Sequence, residues 1–345
     1  MRIVLVYNLL LVCTCMCAQS THSLLLVDPQ ASQDSMVKSF CTPGIANKSR
    51  SRGLEITYNI SGGGYVEMGD DETEQIVGKM QSLESFSLKV RVPVILRKDF
   101  KVLLGYYYQP ERYRIGQVES ELEPFIGNLD GRLLKSNAFN LYATKAINDK
   151  YYTALRLKLG FNGDYDGWVN FDEQYMTYNA IGMLGIKKSD DFEWGVGLVY
   201  SKNMRRQLLL PFVMLNKNFN DKWGIETAPP AYILGRYNAS PTTILLFGAE
   251  YNSRIYSIEP NSISFIQNRP QPSYNMNHAE FNAVVSLEQQ IVPWIWLNVK
   301  GGYQFNFNSR FETEIPGNTT LRVRPPNAPF FQMGIFLSPP DKLMK

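Results

Sequence analysis

Side chains able to move protons near neutral pH are scarce in this chain, with histidine only at His22 and His278. His278 stands in Asn277-His278-Ala279-Glu280. A Ser-His-Asn hydrolase would need a serine close behind the histidine, and none follows. Asp164, Asp166 and Asp172 could serve a His-Asp pair, but no spacing ties them to His278. The expectation is a hydrogen-bonding histidine near a strand end, with no catalytic residue. Of four cysteines, Cys13, Cys15 and Cys17 crowd the N-terminus. Cys41 is left alone in what reads as a loose segment, with no disulfide or metal set to join. Ser61-Gly62-Gly63-Gly64-Tyr65 is glycine-rich. No helix with phosphate-binding spacing follows it, so it reads as a flexible loop at a strand end. Asp70, Asp71, Glu72 and Glu74 form an acidic cluster without EF-hand spacing, a solvated loop. No cofactor and no metal are expected.

The remaining charges fall in a different pattern. Lys89, Arg91, Lys101, Arg156, Lys158, Glu193, Glu250, Glu280, Glu288 and Lys300 lie inside apolar runs. Between Phe86 and Leu96 every even residue is apolar, while Ser87, Lys89 and Arg91 fall between. Successive side chains of a strand point to opposite faces, so this segment has one greasy face and one charged face. Leu155 to Phe161, Ala279 to Ile291 and Ile295 to Phe307 repeat the pattern. Weaker cases are Leu54 to Ile60, Phe139 to Ile147, Met176 to Ile186, Phe192 to Tyr200, Leu208 to Met214 and Leu245 to Ile255. Many runs reach about ten residues, the length of a membrane strand rather than the five or six usual in soluble sheets.

The chain has 345 residues, a formal net charge of +3, 19% charged and 13% aromatic residues. Such a balance offers no basic field for nucleic acid. Arg2 precedes a short apolar run and then Ala18-Gln19, which predicts a signal peptide over residues 1–18. Cleavage before one of the leader cysteines, with lipid attachment, is the alternative. Residues 19–52 mix polar types with little periodicity and read as a periplasmic N-terminal arm.

Residues 53–345 then predict an all-β fold, an antiparallel transmembrane β-barrel of about fourteen strands. Twelve follow if Trp223 to Tyr237 is one strand bulged at Pro229-Pro230. Tight polar connections at residues 97–99, 148–150, 189–191, 220–222 and 239–241 alternate with mostly longer ones, as at 111–133, 164–173 and 259–275. That is the layout of short periplasmic turns and longer outer loops. Trp194, Trp223, Trp294 and Trp296 lie near the tight turns, where an inner aromatic girdle belongs. In such a barrel the apolar face meets lipid, and the ten charges named above become candidates for the lumen.

The run Ser201 to Pro211, with Asn218 to Glu226 and Pro229 to Tyr237, resembles an uncharacterised outer-membrane β-barrel family common in Bacteroidota, a domain of unknown function. The resemblance extends from about Gly53 to the C-terminus. It implies the fold and a place in the bacterial outer membrane, and it brings no catalytic signature. The leading expectation is therefore a non-enzymatic barrel, either a passive pore for transport or a scaffold, with its solute unknown. Its expected contacts are outer-membrane lipid, lipopolysaccharide and the barrel-assembly machinery, and no nucleic acid. A barrel enzyme acting on lipid or peptide and a soluble secreted β-sandwich binding carbohydrate are the alternatives.

Overall fold

The structure is a computed structural model and describes residues 40–68, 75–118, 127–203, 207–259, 274–313 and 320–339. The chain divides into Met1–Val37 and Lys38–Lys345, and the first unit lies outside the described residues. So do the leader expected at residues 1–18, His22 and the acidic cluster at 70–74.

Strand follows strand with almost no interruption. The elements are β1 (Leu54–Met68), β2 (Gln75–Leu96), β3 (Phe100–Val118), β4 (Leu133–Ala146), β5 (Tyr151–Gly163), β6 (Met176–Ser189), β7 (Phe192–Lys202) and β8 (Gln207–Asn218). They continue as β9 (Trp223–Ala228), β10 (Tyr232–Ser240), β11 (Thr243–Ile258), β12 (Tyr274–Val292), β13 (Ile295–Thr313), β14 (Thr320–Arg324) and β15 (Ala328–Leu337). From β1 to β13 each strand pairs antiparallel with the next. β13 pairs with β15 and β15 with β1, so the ring closes. β14 also bridges β13 and β1, at the long-loop end. It continues the position of β15, interrupted at Pro325-Pro326, where proline has no N–H for the ladder. The barrel therefore has fourteen staves. Pro229-Pro230 separates β9 from β10, so this region supplies two strands and not one bulged strand. Among the described residues no helix is long and apolar enough to cross a membrane; the strands cross it.

The two faces sort as period-two alternation requires. Val285 is 62% exposed, Leu198 53% and Ile335 51%, all on the outer face. The intervening residues Asn282, Ser286, Glu288 and Asn298 are buried. An exposed apolar belt around a buried polar interior is the inverse of a soluble sandwich.

Three local expectations need correction. Trp296 is buried on the inner face, its ring stacked 6.0 Å from Phe336, so it is not part of a lipid-facing girdle. Ser61 to Tyr65 is no loop but the middle of β1. A Cβ on Gly63 would lie 2.2 Å from the Gln81 carbonyl oxygen, and one on Gly64 would lie 2.6 Å from Pro326, so glycine here serves close approach of strands. Cys41 is not in a loose segment: it is buried against Ala146 and Tyr152.

Among the described residues the wall is incomplete on one side. β9 has six residues, and its partner β10 pairs with β11 only up to Tyr232–Glu250. Six residues at about 3.4 Å and a tilt near 40° rise about 15 Å, well short of the about 25 Å lipid-facing band. β8 pairs with β9 only over Leu215 to Asn218, yet it keeps pairing with β7 up to Gln207. Between the upper parts of β8 and β11 the described residues therefore form a notch. At its upper limit Ser257 of β11 turns to pair in parallel with Gly163 of β5. Pro211 on the free edge of β8 and Pro229-Pro230 at the hairpin tip lack N–H groups, so three donors that lipid could not satisfy are absent.

Candidate functional site

Residues directly opposite in an antiparallel ladder share a face, so register places each side chain. Lys89 lies opposite Glu55 and Tyr107, Arg91 opposite Gly105, and Lys101 opposite Thr144. Arg156 lies opposite Tyr142, Lys158 opposite Asn140, and Glu193 opposite Asn216. Glu250 lies opposite Asn282, Glu280 opposite Asn252, Glu288 opposite Asn298, and Lys300 opposite Ser286. All ten positions thus fall on the face that carries the buried Glu55, Asn216, Asn282 and Asn298, the inside of the ring.

The interior is layered. At the tight-turn end, residues 40–52 run along the inside of the rim. The Cys41 amide donates to Asn148 O at 2.9 Å and the Ala46 amide to Asp190 O at 2.7 Å. The Gly44 amide donates to Glu193 Oε1 at 2.7 Å. Ser49 gives both its amide and its hydroxyl to Glu226, at 2.8 and 2.6 Å. Arg50 covers the Trp296 ring, and Arg52 covers Phe336 while pairing with Glu55 and Glu288. A polar segment without periodicity is ordered here because buried carboxylates of the barrel accept its amides, charge-assisted bonds worth about 1.5–3 kcal/mol each.

The middle layer is ionic. Arg236, fully buried, donates to Glu226 at 2.8 Å and to Asn218. Arg254 lies 3.0 Å from Glu111 and 3.1 Å from Glu280. His278 Nε2 is 3.0 Å from Glu280, which also accepts from Asn282 and Gln304. Lys300 reaches both oxygens of Glu250 at 2.8 Å. Such charges persist away from bulk water only when paired.

The long-loop end is dry. Val77, Met80, Leu83, Tyr113, Ile115, Leu134, Tyr256, Ile258 and Met276 form one buried apolar cluster inside the ring. A clamp fixes its flank: Asp164 accepts the Glu259 amide at 3.1 and 3.2 Å and pairs with Arg132, while the Tyr175 hydroxyl donates to Glu259 at 2.6 Å. Burial pushes the Asp164 carboxyl above its ordinary range, against the opposing pull of that amide and Arg132. Asp164 is thus engaged with Arg132 and Glu259, not with His278.

Several residues of the ionic layer escaped the sequence reading. Glu55 lies in a weakly patterned strand. Glu111 was placed in a loop, although β3 runs on to Val118. Glu226 and Arg236 flank the Pro229-Pro230 region whose strand count was open. The available signal was parity: Arg236 follows Leu234 and Tyr232 at period two.

A closed fourteen-stave antiparallel ring with an apolar belt outside and a charged interior defines a transmembrane β-barrel. The chain belongs to the family described as "Domain of unknown function (DUF6268)", whose model matches residues 127–315. No curated protein matches it. Among solved structures it is similar to a FadL homologue from Pseudomonas aeruginosa, at 10% identity and TM-score 0.39, over 83% of this chain and 90% of that one. It is also similar to an outer membrane channel from Pseudomonas putida F1, at 10% identity and TM-score 0.41, over 84% and 97%. A mutant of the monoaromatic hydrocarbon channel TodX gives 8% identity and TM-score 0.41, over 84% and 90%.

Proposed function

We propose that this protein is a non-enzymatic, selective transport barrel of a bacterial outer membrane, exchanging its cargo through the side of the wall. The observation that carries this reading is the wall notch among the described residues, which lies below the buried apolar cluster of the long-loop end. A simple porin needs an open axis, and at the long-loop end the buried cluster around Leu134, Tyr256 and Ile258 narrows it. Below that cluster, the inner face of the wall beside the notch is made of Ile181, Val199, Leu208, Leu210, Phe212 and Met214, none of them buried. The His278–Glu280 pair serves in this reading as a rivet of the ionic layer. The leader, the periplasmic place of residues 40–52, contacts with lipopolysaccharide and the assembly machinery, and an origin in Bacteroidota belong to the same proposal.

Tryptophan fluorescence in vesicles of bromine-labelled phospholipid tests the side route. Phe212→Trp points inward beside the notch, and Val213→Trp points outward into lipid. If hydrocarbon reaches through the notch, the added emission of both variants is quenched. Quenching of the Val213→Trp emission alone would refute the side route.

A further inference from the structure

We infer that the inner wall formed by β2 to β5 is a binding site for an oxyanion, a phosphate or carboxylate group. The inference deepens the transport reading by naming the chemistry its lumen selects, and it rests on a count of charges. Within the interior, Arg52, Lys89, Arg236, Arg254 and Lys300 each stand within 4.0 Å of a carboxylate. Glu193 has Lys187 opposite it in the ladder, but that lysine pairs with Asp190 at 2.9 Å, and Glu193 accepts from the Gly44 amide, the Tyr152 hydroxyl and the Asn216 amide. On the staves β2 to β5 that leaves Arg91, Lys101, Arg156 and Lys158, with no carboxylate of the described residues in ion-pair reach. All four sit on three staves, β2, β3 and β5, of one sector, so the excess positive charge is local.

The register gives this sector a shape. Arg91, Gly105, Asn140 and Lys158 lie side by side in a single cross-strand row. Gly105 carries no side chain, and the Tyr142 ring packs over it, 3.0 Å from where a Cβ would stand. The Tyr142 ring flanks the row, with the Arg91 guanidinium 5.5 Å and the Arg156 guanidinium 5.4 Å from its centre. On the other flank the Tyr107 ring has Lys158 at 5.9 Å and Lys89 at 5.8 Å. Asn140 accepts from Nε and Nη2 of Arg156 at 3.3 and 3.1 Å, which fixes the guanidinium plane while its other edge stays free. A guanidinium held by one edge presents the fork that grips two oxygens of an oxyanion. Uncompensated cations in a narrow, low-dielectric barrel attract such a group strongly.

The oxyanion could be a free solute or the head of an amphiphile. Arg156 lies directly opposite Ile181, where the apolar inner face of β6 to β8 begins, so a chain attached to the head would have a surface to lie on. Equilibrium dialysis of the full-length protein in detergent separates the two sources, with inorganic phosphate and dodecyl phosphate as probes. We expect saturable binding of phosphate, weakened at least about tenfold in the Arg91→Gln/Lys158→Gln double variant, the effect of removing two charge-assisted contacts. Lys98→Gln, in the tight turn after β2, should bind as the parent does. Dodecyl phosphate binding much tighter than phosphate, and equally sensitive to the double variant, assigns the site to a headgroup; equal affinities assign it to a free solute. Heat-shifted gel mobility reports whether each variant is folded, and Lys158→Arg, which keeps the charge, should retain binding. Equal binding of both probes by the parent and the folded double variant, or no binding by the parent, overturns the inference. Failure of the bromolipid test with binding intact would remove the side route and leave the oxyanion site standing.

Discussion

Replacing Glu193 by glutamine should loosen the arm without emptying the space it occupies. Glu193 is 1% exposed. Its Oε1 accepts from the Gly44 amide and the Tyr152 hydroxyl, both at 2.7 Å, and its Oε2 accepts from Asn216 at 2.9 Å. Glutamine keeps the volume but turns one oxygen into a donor, so three donors must share one acceptor. At least one of them then faces an N–H, and the Gly44 amide is the partner carried by the least anchored segment. Losing a bond to a charged acceptor costs about 1.5–3 kcal/mol, and about 2 kcal/mol raises the undocked fraction of the arm about thirtyfold. Cys41, three residues before Gly44, reports that fraction. Its thiol is buried, lies 3.5 Å from the Tyr151 carbonyl, and has its pKa raised chiefly by burial, so the docked form reacts slowly. With the leader cysteines removed, thiol labelling of Glu193→Gln should run about thirtyfold faster than in the parent if docking is fast relative to labelling. A rate within threefold of the parent, in a variant with intact heat-shifted gel mobility, would show that the Glu193 carboxylate does not hold the arm.

Two further outcomes follow from the buried ions. Arg236→Met should lower unfolding stability in detergent by about 3–5 kcal/mol, because it leaves Glu226 buried beside an apolar chain. Arg236→Met combined with Glu226→Leu should recover much of that loss, and additive losses in denaturant titrations would contradict the pairing. At the long-loop end, the folded Asp164 carboxyl holds its proton more tightly than it does in an unfolded chain. The clamp is therefore firmest below the ordinary carboxylate range and weakens as pH rises through the elevated value. Proteolysis within residues 164–175 should accelerate over that window and lose its pH dependence in Asp164→Asn; protection that grows with pH would refute the sign.

What could be read ahead of the structure was whatever depends on neighbours along the chain. Alternation at Phe86 to Leu96 and Ala279 to Ile291 already separates lipid face from inner face, because period two is a local property of a strand. The tight polar turns fixed the order of staves for the same reason. The arm was not legible, since its order comes from Glu193 and Glu226, about 150 to 180 positions away along the chain. Trp296 was misplaced because proximity to a turn says nothing about parity, and parity alone puts it inside.

The notch is the instructive case, because its signal was present and pointed the other way. In β8, Leu208 to Met214 is apolar at every position, which blurs the alternation and reads as a poorer strand. Register shows instead that both faces of this stretch meet apolar surroundings: lipid on the side of Leu209 and Val213, and the exposed inner wall on the side of Leu210 and Phe212. Pro211 carries the independent clue. A proline within a strand must turn its missing N–H toward an unpaired edge, so this residue requires β8 to lack a neighbour on one side. The short β9–β10 hairpin, ended by Pro229-Pro230, supplies that condition. Three prolines and an apolar run that breaks period two are thus one feature, a gap in the barrel wall among the described residues. A wall built only to close would have kept β9 and β10 as long as their neighbours, satisfying the β8 edge with backbone partners instead of prolines.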